Sequence, residues 1–248
     1  MIVPLVLALA AFVCWLVSTL AGGGGALLMI PIITWAADPK AVAPAIALGT
    51  LISSPARVWM FWRHVDWTIV RWYVPGAIAG GILGGYVFAA AEPQWLKVIA
   101  AIFLLSTLLQ YRLGERKRSF PMRAWMFLPV AFVTAGISGM IGEAGPVLNP
   151  FFLNYGAEKE EMIATKSVNA LATQIAKLGT YTVFGVITRQ YLIYGIVIGI
   201  AATAASLAGK KLLHRMHGKR FRQLVIAVMV ITGALMLWQE RGLLLRLR

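Results

Sequence analysis

The chain has 248 residues, of which 60% are hydrophobic and only 13% charged, and its formal net charge is +14 from 23 Lys and Arg against 9 Asp and Glu. A soluble domain of this length would cover its outside with far more Lys, Glu and Asp, so composition excludes a soluble globular protein. The basic residues stand between apolar runs, where membrane topology explains them better than nucleic acid does.

From the N-terminus, no charged residue or His occurs from Met1 to Ala37. This stretch reads as an apolar helix Pro4–Leu20, a glycine turn Gly22, Gly23, Gly24 and Gly25, and a short helix Ala26–Ala37. No Lys or Arg precedes the first run, so it is read as part of the mature protein and not as a signal peptide. The single cysteine, Cys14, lies inside this run and reads as a small core residue. Asp38 marks a turn, and a helix with Thr50, Ser53, Ser54 and Arg57 comes next. After a loop with Arg63 and His64 come apolar spans Thr68–Ala90 and Trp95–Tyr111. Residues 112–123 form a linker with five arginines and lysines, Arg112, Arg116, Lys117, Arg118 and Arg123.

The chain beyond the linker repeats this plan. Segments Ala124–Ile141 and Pro146–Tyr155 flank a second glycine turn, Gly142-Glu143-Ala144-Gly145, which stands about 120 residues after the first. Glu158 marks the turn, helices Met162–Gly185 and Tyr191–Gly209 come after it, and a basic loop Lys210–Arg222 leads to an apolar run Gln223–Gln239. The expected fold is therefore all-α and integral to the membrane. Its parts are a first repeat over 1–111, the linker over 112–123, a second repeat over 124–240 and a basic tail over 241–248. A barrel is disfavoured because the runs are continuously apolar and do not alternate.

Basic loops mark the cytoplasmic side, so the linker and Lys210–Arg222 belong inside, with the Arg63 loop. An even number of crossings must then separate the two strong loops. Helices Met162–Gly185 and Tyr191–Gly209 supply two, so the flanks of the second glycine turn must enter and leave on the cytoplasmic side. The first hairpin must enter from the outside. Each half then has five segments, an odd number, and the halves come out inverted. The tail Arg241, Arg246 and Arg248 falls outside on this count, against the trend of the other loops.

Ala26–Ala37, about 12 residues, would extend near 18 Å as a helix, too short to span. Each glycine tip should then lie deep in the membrane. A half-helix starting there presents unpaired N–H groups and the positive end of its dipole, which suits a small anion. The competing reading makes the glycines small residues for close helix packing. Their recurrence at equivalent places of a repeat favours a site.

Four ionisable residues stand away from the interfaces: Arg57, Glu143, Lys166 and Lys177. Lys166, Asn169, Thr173, Lys177 and Thr180 fall on one helical face at steps of three and four. Three cations against one carboxylate is the charge balance of an anion path. For Arg57 and Lys166 the competing reading is snorkelling from a helix end. Glu143 is read either as a salt-bridge partner of Lys166 or Lys177, or as a protonatable group that couples transport to protons. The expected substrate-binding residues are Gly22, Gly23, Gly24, Gly25, Gly142, Glu143, Gly145, Asn149, Thr50, Ser53, Arg57, Lys166, Asn169, Thr173 and Lys177. No enzyme signature occurs, and no metal or cofactor is implied. His64, His214 and His217 lie in basic stretches without Cys or acidic companions, and no Walker or dinucleotide pattern is present.

These residues resemble the TauE/SafE family of sulfite exporters and toluene-sulfonate uptake permeases. The resemblance rests on the Gly22–Pro31 run, on His64-Val-Asp66-Trp67 opening a span, on Gly142-Glu-Ala-Gly-Pro-Val-Leu-Asn-Pro150, and on Ala164-Thr-Lys-Ser-Val-Asn169 followed by Lys177 and Tyr181. It implies a multi-pass permease of a bacterial inner membrane that carries sulfite, a sulfonate or a related sulfur compound. Its partners would be that anion and the lipid bilayer, and a homodimer is compatible with this. Glu143 departs from the small residue usual at that turn, which leaves the substrate and the coupling open. A passive anion channel, and less strongly an intramembrane enzyme or assembly factor, remain as alternatives.

Overall fold

The computed structural model describes residues 2–20, 23–90 and 120–214. Among them are eight α-helices and no strand: α1 Ile2–Leu20, α2 Gly25–Ala36, α3 Val42–Phe61, α4 Trp67–Ala90, α5 Phe127–Ile141, α6 Asn149–Tyr155, α7 Lys159–Val183 and α8 Arg189–His214. Gly22, the span Trp95–Tyr111, linker residues 112–119, the run Gln223–Gln239 and the tail lie outside the described residues. The expected basic loop at Lys210–Arg222 begins later than its charge suggests, because α8 continues through Lys210 and Lys211 to His214. Leu207, Leu212 and their neighbours keep the helical pattern going, and charge alone does not end a helix.

Five helical segments are long and apolar enough to cross a membrane: Ile2–Leu20, Pro39–His64, Trp67–Ala90, Ala124–Ile141 and Arg189–Leu212. With these the chain is a multi-pass membrane protein. α7 has 25 residues, about 37 Å of helix, but its polar face keeps it out of that set. Leu5, Leu9, Phe12 and Val13 of α1 are exposed at helical spacing, while Leu7, Ala11, Cys14, Trp15 and Ser18 point inward. A bundle in lipid can present such an apolar outer face at no cost.

Helix starts are set by local chemistry. Asp38 Oδ1 accepts from the Lys40 amide at 2.9 Å, and Asp66 Oδ1 accepts from Thr68 and Ile69 at 2.8 and 3.2 Å. Each carboxylate satisfies donors that a first turn leaves orphaned. Glu158 and Glu161 form a reciprocal capping box at the start of α7.

Packing between the helices relies on glycine. A Cβ at Gly76, Gly80 or Gly84 of α4 would run into the backbone of Leu128, Phe132 or Gly136 of α5. Gly81 and Gly85, on the other side of α4, lie against Ala176 and Thr180 of α7. In the same way Gly195 and Gly199 of α8 receive Leu48 and Ile52 of α3, and Gly209 receives Thr19 of α1. So α4 sits on α5 and α7, which follow it in the chain, and α8 sits on α1 and α3, near the start.

Contacts sort the connections to two ends. Tyr191 donates to Asp38 Oδ2 at 2.9 Å, which brings the α2–α3 turn to the start of α8. At the other end the Asp66 amide donates to Thr165 Oγ1 at 2.9 Å, the Phe120 amide to Asn154 Oδ1 at 3.2 Å, and Lys210 lies over the Phe61 ring. Arg63, Arg123, Lys159, Lys210 and Lys211 belong to this second end, together with exposed Trp59, Trp62, Trp67 and Trp125.

Candidate functional site

Two turns meet at the centre of the helices. The first joins α1 to α2. Gly23 and Gly24 take φ of 132° and 99°, a region that L side chains rarely adopt. The second succeeds α5, where Gly142 takes φ 103°, and leads through a 3-10 turn at Gly145–Leu148 into α6. Both turns fold back on a serine carbonyl: the Gly23 amide donates to Ser18, five residues back, at 2.8 Å, and the Gly142 amide donates to Ser138, four residues back, at 2.9 Å. These two glycine amides therefore close the preceding helices, and the donors left for an occupant are the first-turn amides of α2.

Between the turns lies a cavity of about 90 Å3. One water needs roughly 10–15 Å3 on this measure, so the space holds a few waters or one small oxyanion. Of the residues expected from sequence, Gly23, Gly24, Thr50, Arg57, Glu143, Gly145, Lys166 and Thr173 line it. Gly25, Ser53, Gly142, Asn149, Asn169 and Lys177 stand behind that lining, and Gly22 lies outside the described residues.

Lys166 connects the two turns. Its Nζ donates to Asn149 Oδ1 at the start of α6, and a Cβ on Gly23 would lie 2.8 Å from the same nitrogen. The polar face of α7 points inward as its spacing requires: Asn169, Thr173, Lys177 and Thr180 are buried, and Ile175 and Val183 are exposed. On α3, Thr50, Ser53 and Ser54 are buried, and the Arg57 guanidinium donates to Ser54 at 3.3 Å.

Two placements differ from the sequence expectation. Lys177 is 0% exposed and donates to Ser138 Oγ at 3.0 Å and to the Gly142 carbonyl at 2.8 Å, so it braces the end of α5. A cation suits a helix C-terminus, where carbonyls are unpaired. Glu143 folds back on its own turn. Its Oε1 accepts from the Ala144 and Gly145 amides at 3.0 and 2.8 Å, and Gln174 Nε2 stands 3.5 Å from Oε2.

Several buried atoms have no partner among the described residues: Thr50 Oγ1, Arg57 Nε, both amide atoms of Asn169 and Gln174 Oε1. Buried polar groups are nearly always satisfied, and Thr50, Arg57 and Gln174 of this set line the cavity. Sequence reasoning missed Ser18, Tyr73, Thr134, Ser138 and Gln174, all of which line the cavity. Ser18 and Ser138 could have been found, because both open the glycine-rich passages at matching places. Tyr73 and Thr134 are isolated in charge-free spans and give no periodic signal.

A family model described as Sulfite exporter TauE/SafE matches residues 7–236. No curated protein and no solved structure gives a match. The family is one of transporters and not of enzymes.

Proposed function

Because the chain belongs to the sulfite exporter TauE/SafE family, we propose that it is a secondary transporter of a small sulfur oxyanion, sulfite or an organosulfonate, held between the two glycine turns near the membrane midplane. The observation that carries this reading is the cavity itself. It is of oxyanion size, it is lined by Arg57 and Lys166 and by the start of α2, and Thr50, Arg57 and Gln174 of its lining carry polar atoms without a partner among the described residues. Cations and half-helix N-termini at one point form a trap for negative charge. Purified protein in proteoliposomes should carry sulfite or methanesulfonate faster than empty vesicles do, and carrier-type saturation should separate it from a channel. Flux equal to that of empty vesicles for both anions would overturn the reading.

The same proposal takes the two repeats as inverted and the hairpins α1–α2 and α5–α6 as re-entrant in a bacterial inner membrane. α2 has 12 residues and α6 has 7, about 18 and 10 Å of helix against a hydrocarbon core near 30 Å. The crossed packing, α4 on the second half and α8 on the first, supports a two-fold exchange of the halves. The second end carries most of the described Lys and Arg outside the cavity, so it is assigned to the cytoplasm. In a Cys14→Ala background, Lys40→Cys should react in whole cells with an impermeant thiol reagent, and Met122→Cys should be protected. The reverse pattern would refute the topology.

A further inference from the structure

We propose that the Glu143 carboxylate is the resident occupant of the second turn, and that the transported anion binds by displacing it. This rests on the transport reading above and adds its regulation. An oxyanion arriving at the Ala144 and Gly145 amides would find both already donating to Glu143 Oε1, at 3.0 and 2.8 Å. The backbone is fitted to this carboxylate. A Cβ at Gly145 would stand 3.1 Å from Oε1, so glycine makes the room in which it sits. A local turn bond alone would carry no such role, but Glu143 and Gly145 line the cavity. So do Thr50 and Gln174, which are 4% and 1% exposed and carry the unpartnered Oγ1 and Oε1. The carboxylate therefore fills one corner of a space in which Thr50 Oγ1 and Gln174 Oε1 have no partner among the described residues.

Charge governs the outcome of displacement. Arg57 from α3, Lys166 and Lys177 from α7 and the Tyr73 hydroxyl from α4 lie within electrostatic reach of Glu143. Three cations hold one carboxylate comfortably. A second anion beside it would meet like-charge repulsion at low dielectric. When the anion takes the two amides, the carboxylate leaves them and turns toward Gln174, whose Nε2 already stands 3.5 Å from Oε2. Release reverses the exchange, and the carboxylate resumes its place on the Ala144 and Gly145 amides.

Methanesulfonate is the probe, because it is a permanent monoanion near neutral pH. Its Kd is measured on the full chain in detergent for wild type, Glu143→Gln and Glu143→Asp, with melting temperature alongside. Glu143→Gln keeps the shape and removes the charge. It should bind at least tenfold tighter than wild type, because no carboxylate competes for the two amides. Difference infrared spectra on adding methanesulfonate should show a shift of the carboxylate stretching bands in wild type that is missing from Glu143→Gln. Equal affinity in wild type and Glu143→Gln would overturn the displacement while leaving transport intact. Weaker binding by a Glu143→Gln protein that melts as wild type does would also overturn it. Absence of methanesulfonate and sulfite binding in all three proteins would overturn the transport reading and this one with it.

Discussion

Lys166→Met should weaken anion binding by more than a hundredfold and bring flux close to that of empty vesicles. Lys166 Nζ stands where the two turns meet, on Asn149 Oδ1 and beside Gly23. An anion seated there gains a cation at hydrogen-bond range in a site of low dielectric. Removing one partner of a buried charge pair costs about 3–5 kcal/mol, two to three and a half powers of ten in affinity. The loss of a donor to Asn149 adds a smaller stability cost of about 1–3 kcal/mol. Lys166→Arg separates charge from shape. It keeps the charge, but the space toward Gly23 is already filled by an ammonium, and a forked guanidinium needs more. We therefore expect Lys166→Arg to restore only part of the affinity. The readout that isolates binding from folding is the rise in melting temperature on adding anion, which grows as RT ln(1 + [L]/Kd). A Lys166→Met protein whose melting temperature still rises with anion as wild type does would remove Lys166 from recognition.

The sequence reveals the scaffold well and the site only in outline, for physical reasons that differ by residue. Helices without charge announce themselves, because lipid admits little else. Apolar pattern starts α7 three residues late, at Met162 and not Lys159, because the Glu158–Glu161 capping box that begins it is polar. The inward face of α7 is legible from spacing alone, since a polar stripe on a helix in a membrane must face protein or water. Spacing does not show the depth of each group along that face. Lys166 and Lys177 are eleven residues apart on the same face. One ends at the cavity and the other ends under the Gly142 carbonyl. The glycines divide likewise. Gly23, Gly24 and Gly142 serve turns with positive φ, whereas Gly76, Gly80 and Gly84 serve close packing, and composition treats them alike. Glu143 illustrates the limit best. Its type and place in the glycine turn predict a role, yet only geometry shows the carboxylate seated on the amides that an anion would use.

Lys177→Met should act on stability and not on recognition. The side chain is fully buried and gives two bonds, to Ser138 Oγ at 3.0 Å and to the Gly142 carbonyl at 2.8 Å. Hydrogen bonds from a charged donor contribute about 1.5–3 kcal/mol each. Methionine fills a similar volume and needs no desolvation of an ammonium, which offsets part of the loss. The net destabilisation should be about 2–4 kcal/mol, or a fall in melting temperature of roughly 4–16 °C for a chain of this size. Ser138→Ala removes only one of the two bonds and should cost less than half as much. The double variant should cost less than the sum of the singles, since Ser138 loses its partner in either case. Glu143→Gln should not rescue Lys177→Met, because the Glu143 carboxylate rests on the amides of its own turn and not on the ammonium. Anion affinity of the Lys177→Met protein, measured well below its melting temperature, should stay within a few fold of wild type. The opposite result, unchanged melting with an affinity loss beyond a hundredfold, would move Lys177 into the binding site and show that the bonds under α5 open when the anion arrives.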